Sequence, residues 1–382
     1  MKNPVETPPK NLVCFSHLRW DFVYQRPQHL LSRFSKDASV YFFEEPIFDA
    51  DDQAFLSFSR RTEKLTVVVP HLRSDMDEAE RNMVLSALLN KLLANIEMED
   101  CTFWYYTPMA LTFSDKYKPK LIIYDCMDEL SAFKFAPEEL VSLEKKLLAK
   151  ADLVFTGGHS LYEAKKNQHS NIFPFPSSIE KEHFAKSRSV KKEPADQLAI
   201  QGPKLGFYGV LDERFDAALI GQIADKRPEW QIILIGPIVK IDPESLPKNK
   251  NIHYLGHKSY EELPEYLSGW DVALIPFLLN ESTRFISPTK TPEYLAAGIP
   301  VVSTPIRDVI KPYGIKKLVH ICTNCDDVIR AVESELNKSC KKSWLKEVDG
   351  FLKNLSWDDT HEAMRRQMNA VINNRSKISI AS

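Results

Sequence analysis

Short apolar runs alternate with amphipathic stretches from one end of the chain to the other, which is the pattern of parallel sheets covered by helices. Asn11 to Ser16, Val40 to Phe43, Leu65 to Val69, Thr102 to Tyr106, Leu121 to Tyr124 and Leu153 to Thr156 read as strands. Between them, Arg26 to Phe34 opens with Pro27 in its first turn and reads as a helix. Met76 to Met98 spaces Val84, Leu88, Leu92 and Leu93 helically, and Pro137 to Lys150 is a further helix. The charged, weakly periodic run Lys186 to Pro203 marks a boundary, after which the alternation restarts. Strands are expected there at Lys204 to Tyr208, Gln231 to Ile235, Ile252 to Tyr254, Val272 to Ile275, Val301 to Ser303 and Leu318 to His320. From Trp344 the chain is mostly helical, ending in a long helix from Trp357. At 382 residues the chain has room for two such α/β halves.

Composition removes several classes. Fifty Lys and Arg against 52 Asp and Glu leave a net charge of −2, which argues against a protein that coats nucleic acid. The basic run Lys186 to Lys192 has no interleaved aromatics, so nucleic acid is not an expected partner. Six cysteines are too few for a disulfide scaffold and suit a reducing compartment. The opening MKNPVETPPK has no apolar core of a signal peptide, and the longest apolar stretch, Val272 to Leu279, is broken by Pro276. The expectation is a soluble cytoplasmic protein.

No GxxxxGK[ST], GxGxxG or GxSxG motif occurs. Ser160 in Gly157-Gly158-His159-Ser160 reads as a helix cap, and Cys322-Thr323-Asn324-Cys325, with His320 and Cys340 nearby, lacks the partners of a zinc site. No metal site is expected. The informative segment is Ser287 to Ser303, SPTKTPEYLAAGIPVVS. Thr291 is placed to cap a helix whose first residue is Pro292, Gly298 to end it and Pro300 to start the next strand. That helix would aim its N-terminus at the loop carrying Lys290, a combination suited to a diphosphate, with Glu293 able to accept two hydrogen bonds from a vicinal diol such as ribose. The same residues would also serve merely to cap the helix and offset its dipole.

Asp271 to Pro276 followed by SPTKTPEYLAAGIPVVSTPI resembles the nucleotide-binding half of GT-B-fold glycosyltransferases, in which a Glu five residues before the Gly binds the nucleotide ribose; Glu293 and Gly298 match that spacing. FSHLRWDFVYQRPQHLL (Phe15 to Leu31), FFEEPI (Phe42 to Ile47), YDCMDEL (Tyr124 to Leu130) and ADLVFTGGHSLYEAK (Ala151 to Lys165) are similar to bacterial polysaccharide and teichuronic-acid-type glycosyltransferases of the family 4 kind. The resemblance, over residues 11 to 370, implies two Rossmann-like domains facing a cleft. An acceptor-side domain would span 1–190 and a donor-binding domain 200–356, with the helix from about 357 to 382 packing back on the first. It implies transfer from a UDP- or GDP-sugar, UDP first, to a glycan or lipid-linked acceptor in surface polysaccharide synthesis. The nucleotide sugar is a substrate, so no cofactor is expected. The sequence departs from the family pattern twice: Phe285 stands where the family has its first Glu, and Gly209-Val210-Leu211 lacks the phosphate-binding Arg, leaving Lys290 as the chief phosphate contact with Arg214 as a substitute. A nucleotide-sugar epimerase and a non-catalytic sugar- or nucleotide-binding component of an assembly complex are the alternatives.

Transfer builds negative charge on the departing diphosphate, which a fixed cation and helix N–H groups stabilise. No carboxylate pair that would hold a divalent metal follows a strand of the second half, so metal independence is expected. For the base that takes the acceptor proton, Asp128 is the first candidate, with Asp125 beside it at a strand end and His17 after the first strand. Arg19, Trp20, Gln25 and Arg26 form a polar-aromatic loop on the same rim, and with Glu45 and its neighbour Glu44 are expected at the acceptor. Gly209, Gly236 and the Tyr254-Leu255-Gly256 turn are expected near the nucleotide. Lys145, Lys146 and Lys150 on one helix are expected to supply any peripheral contact with the inner face of the plasma membrane.

Overall fold

The computed structural model describes residues 9–190 and 192–381, with side chains to residue 375. The N-terminal stretch 1–8 and Lys191 of the basic run lie outside the described residues. Eight strands build the first sheet: β1 (Asn11–Ser16), β2 (Ser39–Glu44), β3 (Phe55–Arg60), β4 (Leu65–His71), β5 (Cys101–Tyr105), β6 (Leu121–Cys126), β7 (Leu153–Thr156) and β8 (Ile172–Pro174). Their order is β3-β4-β2-β1-β5-β6-β7-β8, parallel throughout except for the antiparallel β3–β4 edge. The order reverses at β1, whose Val13 pairs with Tyr41 of β2 on one side and Phe103 of β5 on the other. Loops following β1, β2 and β5 therefore diverge around a crevice at the carboxyl ends of the strands, where open α/β sheets bind ligands.

Side chains alternate across this sheet. Val13, Phe15, Phe43 and Phe103 pack beneath the helix Glu78–Leu93, and Leu12, Cys14, Phe42 and Trp104 on the opposite face meet Trp357, Met364, Met368 and Ile372. Those last four lie on the long helix Trp357–Ala381, so the end of the chain covers the first sheet.

The second sheet contains β9 (Lys204–Tyr208), β10 (Gln231–Ile235), β11 (Ile252–Gly256), β12 (Val272–Ile275), β13 (Val301–Ser303) and β14 (Val319–Ile321), all parallel, in the order β11-β10-β9-β12-β13-β14. Its reversal lies between β9 and β12. Ile179 and Phe184 already belong to this second core, so the chain changes domain before the charged run at 186–203, which is pinned to the second domain by the buried Ser187 and Gln197 side chains. Leu352 is in the second core and Trp357 in the first, which puts the return crossing between them.

Several contacts tie the domains together, three of them at the cleft. The Asp308 carboxylate of the second domain accepts from the Ser160 N–H at 3.0 Å, supplying the cap that the helix His159–Lys165 lacks from its own N-cap, Gly158. Ser160 is thus capped, not capping. Tyr24 stacks on Tyr260, ring centroids 4.6 Å apart, and Tyr260 stacks on His183 at 4.2 Å. Phe133 lies between the Arg214 guanidinium, 5.2 Å from its ring centre, and the Lys240 ammonium, 5.6 Å away.

Candidate active site

The helix carrying the informative segment runs Lys290–Ala297, two residues earlier than the proline at 292 suggested. Thr289 is its N-cap, without a side-chain cap bond. Thr291 is inside the helix, fully buried, with its Oγ1 unpartnered, so it neither caps the helix nor reaches the cleft. Pro292 is compatible with this start because the first-turn N–H groups have no intrahelical acceptor to lose. Gly298, at φ 81°, ends the helix in the left-handed conformation that glycine adopts without strain.

This short helix delivers Lys290 and Glu293 to one cavity of about 260 Å³ between the domains. Its floor is the backbone of Gly209 and Gly236, which follow β9 and β10, and its outer wall is the Trp20 to Tyr24 loop of the first domain. Both glycines have positive φ. A Cβ at Gly236 would fall 1.9 Å from the Gly209 carbonyl oxygen, and one at Gly209 would press on the Lys290 side chain at 3.3 Å. The side-chain-free floor lets a ligand lie directly against the strand ends.

Glu293 is 7% exposed and accepts a hydrogen bond from the Tyr208 hydroxyl. Burial pushes its carboxyl up to about 7, against the opposing pull of Lys290 and the Tyr208 hydroxyl. Lys290 is shifted downward, first by burial and also by Arg214, with Glu293 opposing. Its ammonium contacts the Thr289 hydroxyl at 3.1 Å and stands 5.6 Å from the centre of the Tyr208 ring.

A second cavity of about 140 Å³ shares Val23, Gly209 and Lys290 with the first and continues it towards Asp128, Arg214, Ser287 and Thr289. Arg214 thus stands beside Lys290, though Asp212 holds its guanidinium with contacts of 2.6–3.1 Å. The Asp128 carboxyl is shifted upward by burial, helped by Asp212 and opposed by Arg214 and Arg26.

Several residues singled out in the sequence prove to be structural. Asp125 is fully buried and grips Arg26 through contacts of 2.8, 3.1 and 3.2 Å, and the Nη1 of Arg26 donates to the Phe175 carbonyl at 2.6 Å. Asp125 reaches no cavity, which removes it as a base, whereas Arg26, held by it, lines the smaller cavity beside Asp128 rather than the acceptor side. Arg19 is tied to Glu44 at 3.0 Å and to the carbonyls of Glu45 and Pro46, so it shapes its loop. Trp20 faces the cavity holding Lys290, whereas Glu45 lines a separate cavity of about 410 Å³ in the first domain; the four expected acceptor contacts do not converge. His17 has a buried, unpartnered Nδ1, and burial, with Lys240, pulls its ring down to about 4 against a backbone hydrogen bond at Tyr106. It is a neutral imidazole at pH 7. Tyr254 lines a different surface pocket, and His257, Lys258 and Ser259 take the place assigned to its turn. Lys146 and Lys150 are held by Asp115.

Cys325 begins a helix capped by Asn324, and His320 bonds Glu335 at 2.6 Å, leaving no zinc arrangement there. Among the described residues no group of three or more His, Cys, Asp or Glu is placed to hold a metal ion, and no helix is long and apolar enough to cross a membrane. Tyr208, Thr289 and Ser287 were missed in the sequence. Tyr208 was hidden inside an apolar strand, and the other two by the misplaced helix start.

Two parallel Rossmann-like sheets with a ligand cavity between their carboxyl edges define the GT-B fold, and solved structures of that fold match nearly the whole chain. A trehalose-6-phosphate structure from E. coli bound with UDP-2-fluoro glucose superposes with a TM-score of 0.69 at 14% identity, covering 94% of this chain and 99% of the other. Sucrose-phosphate synthase from Thermosynechococcus elongatus gives 0.65 at 12% identity, covering 97% and 98%. More specifically, residues 203–337, which include Lys290 and Glu293, match the family described as "Glycosyl transferases group 1". The chain is also 26% identical over 240 residues to "Putative teichuronic acid biosynthesis glycosyltransferase TuaH" of Bacillus subtilis (strain 168), a match spanning 58% of this chain and 59% of that relative.

Proposed function

We propose that the protein transfers a glycosyl group from a nucleotide sugar to an acceptor held by its first domain, in the synthesis of a polysaccharide. The observation that carries this reading is the convergence of Lys290 and Glu293 on a cavity floored by Gly209 and Gly236. The ribose diol donates to Glu293. The diphosphate lies over the two glycines against Lys290 and the uncapped start of its helix, where fixed positive charge meets the negative charge of the leaving group as it develops. Arg214 adds to that field, weakened by Asp212. Asp128 takes the acceptor proton: it is half-buried, lines the cavity continuous with Lys290, and its upward shift brings a carboxylate nearer the working range of a general base. UDP is the first candidate nucleotide and GDP the second; no step requires a metal ion.

The cavity of the first domain, near Glu45, is the acceptor side of this reading. Glu44, Glu45, Glu78 and Glu139 line it, with Arg81 as the cation among its lining residues and Arg19 paired to Glu44 from outside. Phe15, Phe43, Met109 and Phe113 form its apolar part. Such a site suits an uncharged acceptor better than a phosphorylated one. Lipid-linked acceptors fit through an uncharged sugar end, and peripheral membrane contact would then use surfaces other than Lys146 and Lys150.

Isothermal titration tests the reading. UDP or GDP should bind with a Kd in the micromolar range, Glu293→Ala should lose that binding, and Asp128→Asn should keep binding while transfer stops. Absence of binding by either nucleotide refutes the reading. A specific observation favours a second one, a binding component without turnover: Asp212 occupies the cation that would assist Lys290. Unchanged nucleotide binding without turnover towards any neutral glycan acceptor would select it.

A further inference from the structure

Tyr208 is the last residue of β9 and touches both groups on which the nucleotide site depends. Its hydroxyl donates to Oε2 of Glu293, and its ring lies beneath the Lys290 ammonium. The residue is itself fixed from the other side. Its backbone N–H donates to the Tyr294 hydroxyl at 3.0 Å, and the two rings meet edge to face at 5.1 Å. Strand β9 and the Lys290–Ala297 helix are thus laced together at two successive helix residues, 293 and 294. The Oε1 of Glu293 has no hydrogen-bond partner among the described residues, and the residue lines the cavity.

We propose that Tyr208 is a positioning residue for the nucleoside diphosphate. It fixes one carboxylate oxygen of Glu293 so that the other is presented to the ribose diol in its accepting, ionised form, and it seats the Lys290 ammonium beside the diphosphate. This rests on the nucleotide-binding reading above. The phenol stabilises the ionised carboxylate because its O–H donates a stronger, charge-assisted hydrogen bond to the carboxylate than to the neutral carboxyl; burial keeps Tyr208 itself protonated far above neutral pH. The other charged or titratable groups that act on Glu293 are Lys290 on its own helix, Tyr294 beside it, Tyr260 from the loop after β11, and Glu180 before the helix Lys181–Ala185, whose charge opposes ionisation. Without the phenol, only Lys290 favours the carboxylate.

The test is isothermal titration of UDP and GDP, from pH 6 to 9, into wild type, Tyr208→Phe, Tyr208→Leu and Glu293→Gln. Wild-type affinity should fall as the pH drops through about 7, where Glu293 takes up its proton. Tyr208→Phe keeps the ring and should lose roughly tenfold in affinity near pH 6.5, recovering to within about twofold of wild type at pH 9, because a rise of one pKa unit is a tenfold change. Tyr208→Leu, which also removes the seat of Lys290, should remain weak at every pH. Glu293→Gln should bind weakly with a flat profile. A Tyr208→Phe curve parallel to wild type, whether equal to it or lower by one constant factor, overturns the positioning role, as does a Tyr208→Leu curve that recovers at pH 9. If Glu293→Gln binds as wild type does, or wild type binds neither nucleotide, the nucleotide reading itself fails.

Discussion

The buried Arg26–Asp125 pair gives the sharpest separation between structural and catalytic roles. In Asp125→Asn the amide keeps the carboxylate's shape but loses its charge, and its nitrogen faces the guanidinium that previously made three contacts of 2.8–3.2 Å. Arg26 has a side chain only 3% exposed, so its charge would stay buried with only neutral acceptors, the Asn amide oxygen and the Phe175 carbonyl. Breaking a buried pair from one side costs about 3–5 kcal/mol. At about 2–4 °C per kcal/mol for a domain of this size, the unfolding transition of the first domain should fall by roughly 6–20 °C in calorimetry. The apolar double variant Arg26→Met/Asp125→Leu removes both charges and should recover most of that loss. UDP affinity measured well below the transition should be unchanged, since Lys290 and Glu293 belong to the other domain. The reasoning is refuted if Asp125→Asn melts within about 2 °C of wild type and yet loses turnover, which would make Asp125 a catalytic carboxylate after all.

Three further outcomes follow from single contacts. Gly236→Ala should abolish detectable nucleotide binding in titration, since its Cβ would sit 1.9 Å from the Gly209 oxygen and force apart the strand ends that floor the cavity. Asp308→Ala removes the cap that one domain supplies to a helix of the other; it should cost about 0.5–2 kcal/mol in denaturant unfolding and give a more open particle in small-angle scattering. Glu180, 3.4 Å from the His29 ring and accepting from Arg33 and Tyr260, is held down to about 2 against an ordinary 4.5. Its folded value is depressed, so its stabilisation is complete above pH 4.5 and is lost as the pH falls towards 2; the melting-temperature gap between wild type and Glu180→Gln should close over that window.

Much of the architecture was legible because strands buried on both faces read as continuous apolar runs, as NLVCFS and QIILI do. β3 was not, because FLSFSR is a largely exposed edge strand, with Phe58 58% exposed, and its interrupted pattern carries no core signal. β8 has only three residues. Glu293 and Lys290 were legible from local spacing. The status of Asp125, Arg26 and Arg19 was not, because each is settled by a partner distant in sequence: Asp125 lies 99 residues from Arg26. Ser160 shows the same limit, since its cap comes from another domain 148 residues away. Pro292 misled by being read as the first helical residue when the helix begins at Lys290.

The most direct measurement is a crystal structure with UDP bound. A diphosphate oxygen should lie within hydrogen-bond reach of the Lys290 Nζ and the ribose hydroxyls on Glu293, with the backbone of residues 209 and 236 beneath them. UDP lodged elsewhere, or lying in this cavity with both of those side chains turned from it, would contradict this placement.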